Sequence, residues 1–144
     1  MMRSGLLHPP LLAALAGAGH GSQVLIADAL YPHDTGANPS AVRIHLNLRP
    51  GLVAACDVLQ LVADSCYLEA ALFMEDADGR ASEAVREYQE ALAGHRHWGG
   101  REVAWSGIER FAFYEACQAR NVSVVIATGE VRPYSNLLVT IGVP

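Results

Sequence analysis

Strands alternating with helices along a single chain predict an α/β layered fold with a largely parallel sheet. Two observations carry this expectation. The runs Val24-Leu25-Ile26-Ala27 and Val122 to Ala127 read as continuous apolar strands, the pattern of strands covered on both faces. Between such strands lie segments whose apolar residues recur at helical spacing, as crossover connections require. The chain has 144 residues, 51% of them hydrophobic and 17% charged, and a formal net charge of -5, which describes one compact domain spanning residues 1–144. A domain of this size buries roughly 68% of its unfolded surface and needs neither disulfide nor structural metal to hold a core.

Taken in order, Pro9-Pro10 suits a helix start and Gly17 and Gly19 a helix end, giving a first helix over about 10–18. The strand Val24–Ala27 ends at Asp28, and a loop holding Pro32, Asp34, Gly36, Asn38 and Pro39 follows. Val42, Ile44 and Leu46 then alternate with Arg43, His45 and Asn47, a strand with one wet or lined face. Pro50-Gly51 opens a second helix over about 51–63, with Leu52, Cys56, Leu59 and Ala63 at helical spacing. A strand follows at about 67–74, then the Asp78-Gly79 turn and a helix at about 83–93 capped by Ser82. His95, His97, Trp98, Gly99 and Gly100 form a loop before a short strand at about 102–105. Ser106-Gly107-Ile108-Glu109 has the form of a capping box that starts a helix at about 107–120. Leu137 to Val143 makes the last strand, after a turn at Pro133-Tyr134-Ser135-Asn136.

Charge and composition exclude several functions. Ten scattered basic residues in an acidic chain offer no surface to replace phosphate counterions, so no nucleic-acid partner is expected. No apolar run approaches the ~18 residues of a membrane span, and Pro9 and Pro10 interrupt the Leu/Ala run that superficially resembles a signal peptide. A cytoplasmic location follows as the default. Cys56, Cys66 and Cys117 sit in apolar stretches and read as buried, reduced thiols. The six histidines show no metal-ligand spacing, and there is no GxSxG elbow or P-loop. Gly17-Ala18-Gly19-His20-Gly21 follows a helix and precedes a strand, the wrong polarity for a dinucleotide loop.

Candidate site residues lie where ligands bind open parallel sheets, beyond the carboxyl ends of strands. Asp28 follows the first buried strand, and Thr128-Gly129-Glu130 follows the strand ending at Ala127. Asp28 either faces a ligand or hydrogen-bonds the turn backbone. His20 is either an accessible ring between glycines or a histidine settled at a helix terminus. Arg110 falls in the first turn of its helix, where a cation is disfavoured by roughly 0.3–1 kcal/mol, so it is either used by a ligand or paired with Glu109 or Glu115. Tyr134 and Asn136 offer donors and acceptors suited to sugar hydroxyls, or simply make a turn. Phe111, Phe113 and Tyr114 read as core and interface packing rather than a cofactor box, and Phe113, Tyr114 and Trp105 are candidates for an exposed aromatic surface.

These segments together resemble the ribose pyranase and fucose mutarotase family over nearly the whole chain. The matching stretches are Gly19-His20-Gly21, Ile26-Ala27-Asp28-Ala29, Arg110-Phe111-Ala112-Phe113-Tyr114-Glu115, and Thr128-Gly129-Glu130 with Pro133-Tyr134-Ser135-Asn136. The Arg110 stretch is similar to the L-fucose mutarotase branch, since ribose pyranases usually carry a His at that place. The resemblance implies a three-layer α/β/α domain in a ring-like homo-oligomer, often a decamer. It further implies His20 as proton donor, with Asp28, Arg110, Tyr134, Ser135 and Asn136 contacting a monosaccharide. The implied reaction is interconversion of sugar anomers without a cofactor; D-ribose pyranase activity and a non-catalytic sugar-binding partner of an uptake system are the alternatives.

His20 and Asp28 flank the strand Val24–Ala27, which advances about 3.3 Å per residue, so the two side chains are expected near opposite ends of the sheet unless the glycine-flanked loop folds back. A site using both would then be completed between subunits. Substituting His20→Ala is expected to slow anomer exchange by roughly 100-fold or more while sugar binding persists, read by NMR on the two anomer signals. Unchanged exchange removes His20 from the mechanism.

Overall fold

A computed structural model describes residues 1–95 and 101–144. Its elements are α1 (Pro9–Gly17), β1 (Gln23–Ala27), β2 (Val42–His45), α2 (Ala55–Ser65), β3 (Leu68–Met74), α3 (Glu83–Leu92), β4 (Ala104–Ile108), α4 (Arg110–Ala116), β5 (Val122–Ala127) and β6 (Leu137–Ile141). The strands form one sheet in the order β2-β5-β1-β6-β3-β4. Pairings β1–β5, β2–β5 and β3–β4 are parallel, whereas β6 runs antiparallel to both β1 and β3. Five strands therefore point one way and β6 the other. The segment joining β5 to β6 consequently stays along the carboxyl edge of the sheet.

The expected α/β fold with a largely parallel sheet is thus observed, with helices on both faces. Along β1 the side chains alternate between two cores, because successive residues of a strand point to opposite faces. Val24 and Ile26 join the larger core beneath α1, α2 and α3, with Leu59, Val62, Val85 and Tyr88. Leu25 and Ala27 join a smaller one beneath α4, with Phe113, Cys117 and Tyr31. Loop residues complete that second layer. Arg43 holds the loop in place by donating to the carbonyls of His33, Asp34, Ala37, Asn38, Pro39 and Ala41. Among the described residues no helix is long and apolar enough to cross a membrane.

Several local expectations are corrected, among them the burial of Cys66, which is only partly buried because it caps the exposed end of the second helix. The second helix begins at Ala55 rather than near 51, because Gly51 takes a left-handed φ of 78° and Leu52 N–H bonds the Arg49 carbonyl to close a turn. Ser106-Gly107-Ile108 is no capping box: these residues extend β4, where Gly107 pairs with Phe73 of β3. A side chain on Gly107 would meet the Phe73 ring, so sheet pairing wins over the local helix signal. The helix is shorter at both ends than expected, starting at Arg110 and ending at Ala116, with the Glu109 carboxylate accepting from the Phe111 and Ala112 N–H groups. Phe113 is fully buried, so the exposed aromatic of this helix is Phe111. The expected loop at 95–100 lies, beyond His95, outside the described residues.

The 49–53 turn is seated on Gly129. Gly51 N–H donates to the Gly129 carbonyl at 2.6 Å and Gly129 N–H to the Val53 carbonyl at 2.8 Å. A Cβ on Gly129 would run into the Leu52 backbone. Gly129→Ala is therefore expected to lower unfolding stability by about 1–3 kcal/mol, since a backbone neighbour yields less readily than a side chain. Urea unfolding checks it.

Candidate functional site

The reversed strand assembles the site. Asp28 leaves the carboxyl end of β1 and Asn136 enters β6 beside it, and their groups exchange hydrogen bonds. Asp28 N–H donates to Asn136 Oδ1 at 2.8 Å, and Asn136 Nδ2 donates to Asp28 Oδ2 at 2.8 Å. The other carboxylate oxygen accepts from Leu30 N–H at 3.0 Å. Asp28 thus fixes the turn backbone, and it also lines a cavity.

That cavity has a volume of about 250 Å³, below the ~300–1,000 Å³ of drug-sized sites. Asp28, Arg110, Tyr134 and Asn136 supply its polar wall, and Leu30, Tyr31, Met74, Tyr114 and Pro133 the apolar one. Arg110 stands at the mouth, its Nε donating to the Tyr114 hydroxyl at 3.3 Å and its guanidinium carbon 5.6 Å from that ring. The hydrogen bond to Tyr114 raises its already high pKa, so the cation is permanent. Tyr31 packs its ring 5.5 Å from Tyr114 and donates its hydroxyl to the Gly36 carbonyl at 2.6 Å.

Burial pushes the Asp28 carboxyl above the ordinary carboxylate range, and the Leu30 and Asn136 hydrogen bonds only partly offset this. Tyr134 has a φ of 54°, a left-handed conformation that costs a side-chain-bearing residue roughly 1–2 kcal/mol. Strain of this kind persists where the surroundings impose it. A neutral, polyhydroxylated ligand fits such a wall: one carboxylate to accept, and an amide, a phenol and a guanidinium to donate.

The remaining candidates do not line this cavity. Ser135 is fully buried next to Asp28, its hydroxyl 3.5 Å from Asp28 Oδ2 and donating to the Arg132 carbonyl at 2.8 Å. Thr128 and Glu130 serve the scaffold. Thr128 Oγ1 donates to the Ala27 carbonyl, and Glu130 forms a bidentate pair with Arg132, at 2.9 and 2.8 Å, which lowers its carboxyl pKa. His20 projects from the opposite edge of the sheet, where the neighbouring Gly21 N–H bonds Ile141 at the far end of β6. Its Nε2 lies 3.2 Å from Glu69 Oε2, both side chains exposed. Leu30, Tyr31, Met74 and Tyr114 as cavity walls were not anticipated as such; only the position of Leu30 and Tyr31 just past the end of β1 hinted at them.

With this geometry in hand, comparisons with known proteins agree on one family. The model of the RbsD / FucU transport protein family matches residues 1–144. A D-ribose pyranase of Paracidovorax citrulli (strain AAC00-1) is 36% identical over 144 residues, covering 99% of this chain and 98% of its own. A fucose mutarotase of Bos taurus is 35% identical over 146 residues, covering 96% and 90%. The solved structure of Bacillus subtilis RbsD complexed with D-ribose superposes with a TM-score of 0.77 at 26% identity, covering 100% of this chain and 99% of that one.

The raised pKa of Asp28 has a signed consequence for stability. A carboxyl whose folded pKa exceeds its unfolded value favours folding in full below about 3.9, and that contribution is lost as pH rises through the folded value. Asn at this position does not titrate. The stability of the unsubstituted chain relative to Asp28→Asn is therefore expected to fall as pH climbs from about 4 and then to level off. Urea midpoints across pH measure it, and a flat or rising difference contradicts the assignment.

Proposed function

The chain belongs to the RbsD / FucU transport protein family, and from that premise we propose that it interconverts the anomers of a monosaccharide, foremost L-fucose, by general acid–base opening and closing of the ring. The observation that carries this reading is the convergence of Asp28, Arg110, Tyr134 and Asn136 on one sugar-sized cavity at the carboxyl edge. In a cyclic hemiacetal the anomeric hydroxyl loses a proton, the bond from C1 to the ring oxygen breaks and the ring oxygen takes a proton. The open aldehyde turns about its C1–C2 bond and re-closes on either face. Two positioned proton-handling groups suffice for this.

In our reading Asn136 and Asp28 grip the hydroxyls far from C1, Arg110 steadies charge at the mouth, and Tyr134 relays a proton. His20 is the proton donor, because an imidazole carries one nitrogen that donates and one that accepts a proton. Since His20 projects from the opposite edge of its own sheet, it serves the cavity of a neighbouring subunit, and the active form is a homo-oligomer. Leu30 and Phe111 support this: they are 79% and 73% exposed at the cavity and beside Arg110, apolar surface of the kind a partner covers. The fucose assignment leans on the Arg110-Phe111-Ala112-Phe113-Tyr114-Glu115 stretch and on the bovine fucose mutarotase. The D-ribose pyranase of P. citrulli, at 36% identity, favours ribose as the second reading.

NMR saturation transfer between anomer signals decides among sugars. Faster exchange of L-fucose than of D-ribose is expected; the reverse order makes the chain a ribose enzyme, and binding without exchange makes it a sugar-binding partner. Mixing His20→Ala chains with Asp28→Asn chains after dissociation is expected to restore exchange. Mixed oligomers that stay inactive would assign His20 and Asp28 to one subunit's contribution.

A further inference from the structure

The turn that carries Tyr134 and Asn136 into the cavity is fastened from behind by one helix. Three side chains reach it, one from the N-cap of α3 and two from its middle. Ser82 Oγ donates to the Tyr134 carbonyl at 2.9 Å, Tyr88 Oη donates to the Ser135 carbonyl at 3.1 Å, and Glu87 pairs with Arg132 at 2.6 Å. Tyr134 between them holds its left-handed φ of 54°.

Two of these contacts exceed what the helix itself needs. As the N-cap, Ser82 has only to accept, and its oxygen does so from Val85 N–H at 3.2 Å. An Asp would cap as well. The hydroxyl proton is an additional capability, and it goes to Tyr134. Tyr88 is 1% exposed, on a face otherwise formed by Ala84, Val85 and Leu92, where a Phe would pack equally. Its hydroxyl bonds the next carbonyl of the same turn. A buried phenol held protonated in this way stays a donor across the working pH range.

We propose that Ser82 and Tyr88 are positioning residues, which hold the strained backbone of Tyr134 so that its phenol is presented to the sugar cavity. The proposal rests on Tyr134 serving that cavity in turnover, and it adds α3, an element outside the cavity, to the machinery. It also explains why helix and turn are joined by hydrogen bonds at two successive carbonyls. Small displacements of a proton-handling group carry large rate penalties, so backbone fastening acts directly on rate.

The test uses Ser82→Asp, which keeps the capping acceptor and removes the donor, Tyr88→Phe, which removes one hydroxyl, and Ser82→Thr, which keeps both functions. The five tyrosines are labelled with carbon-13, and the Tyr134 ring signals are assigned with Tyr134→Phe. Ser82→Asp and Tyr88→Phe are each expected to shift the Tyr134 signals and to slow anomer exchange at saturating L-fucose by about 10- to 100-fold. Ser82→Thr is expected to restore both. Tyr134 signals that keep their positions in folded Tyr88→Phe, or losses that Ser82→Thr does not reverse, overturn the proposal. Absence of exchange in the unsubstituted chain instead overturns the functional reading, and the Tyr134 signals still decide whether α3 sets the turn.

Discussion

The reciprocal hydrogen bonds between Asp28 and Asn136 tie the end of β1 to the start of β6, the reversed strand, which runs antiparallel to both of its neighbours. Because β6 is reversed, its first residue, Leu137, pairs with Ile26 near the end of β1, and a residue 108 positions away becomes the partner of Asp28. Everything at the carboxyl edge follows from this. The connection from Ala127 to Leu137 need not cross the sheet, so all its polar side chains stay at one edge. Had β6 been parallel, that connection would have had to return to the opposite edge, and Tyr134 and Asn136 would have been carried away from Asp28.

The same constraint explains where the fold tolerates unfavourable features. A carboxylate is buried against its preference for water, and a tyrosine is held at positive φ. Tyr134 lies within the segment that the Glu130–Arg132–Glu87 ion pairs and the Ser82 and Tyr88 hydroxyls fasten to the main core, and Asp28 is hydrogen-bonded to Asn136 at its end. Charge-assisted, bidentate contacts of this sort are the stronger class of hydrogen bond and fix geometry as well as energy. Local strain beside a cavity, supported by a rigid network behind it, is the arrangement expected when a site is formed before its ligand arrives.

In our reading the two edges of the sheet divide the labour. The carboxyl edge holds the cavity; the opposite edge presents His20 with Glu69 on the surface. A single chain cannot bring the two together, because β1 is rigid and spans the distance between them. Assembly is the remaining way to unite them, so our reading ties catalysis to quaternary structure.

Much of this was legible in the sequence. Apolar runs such as Val24–Ala27, short, rich in branched residues and bounded by turn formers, suit a strand covered on both faces, and Pro9-Pro10, Ser82 and Asp78-Gly79 mark helix starts and a turn through local backbone chemistry. Asp28, Arg110, Tyr134 and Asn136 were identifiable from their places at element ends and from a family resemblance. Local signals failed where a long-range partner outcompeted them: Ser106-Gly107-Ile108 looked like a helix cap until β3 claimed it as a strand, and Gly51 looked like a helix start until Gly129 fixed it in a turn. The direction of β6, the burial of Ser135 and Phe113, the aromatic wall of Tyr31 and Tyr114, and the α3 ties were decided only by tertiary structure. Each depends on residues far apart in the chain, and strand pairing and packing, unlike propensity, have no representation in a short window of sequence.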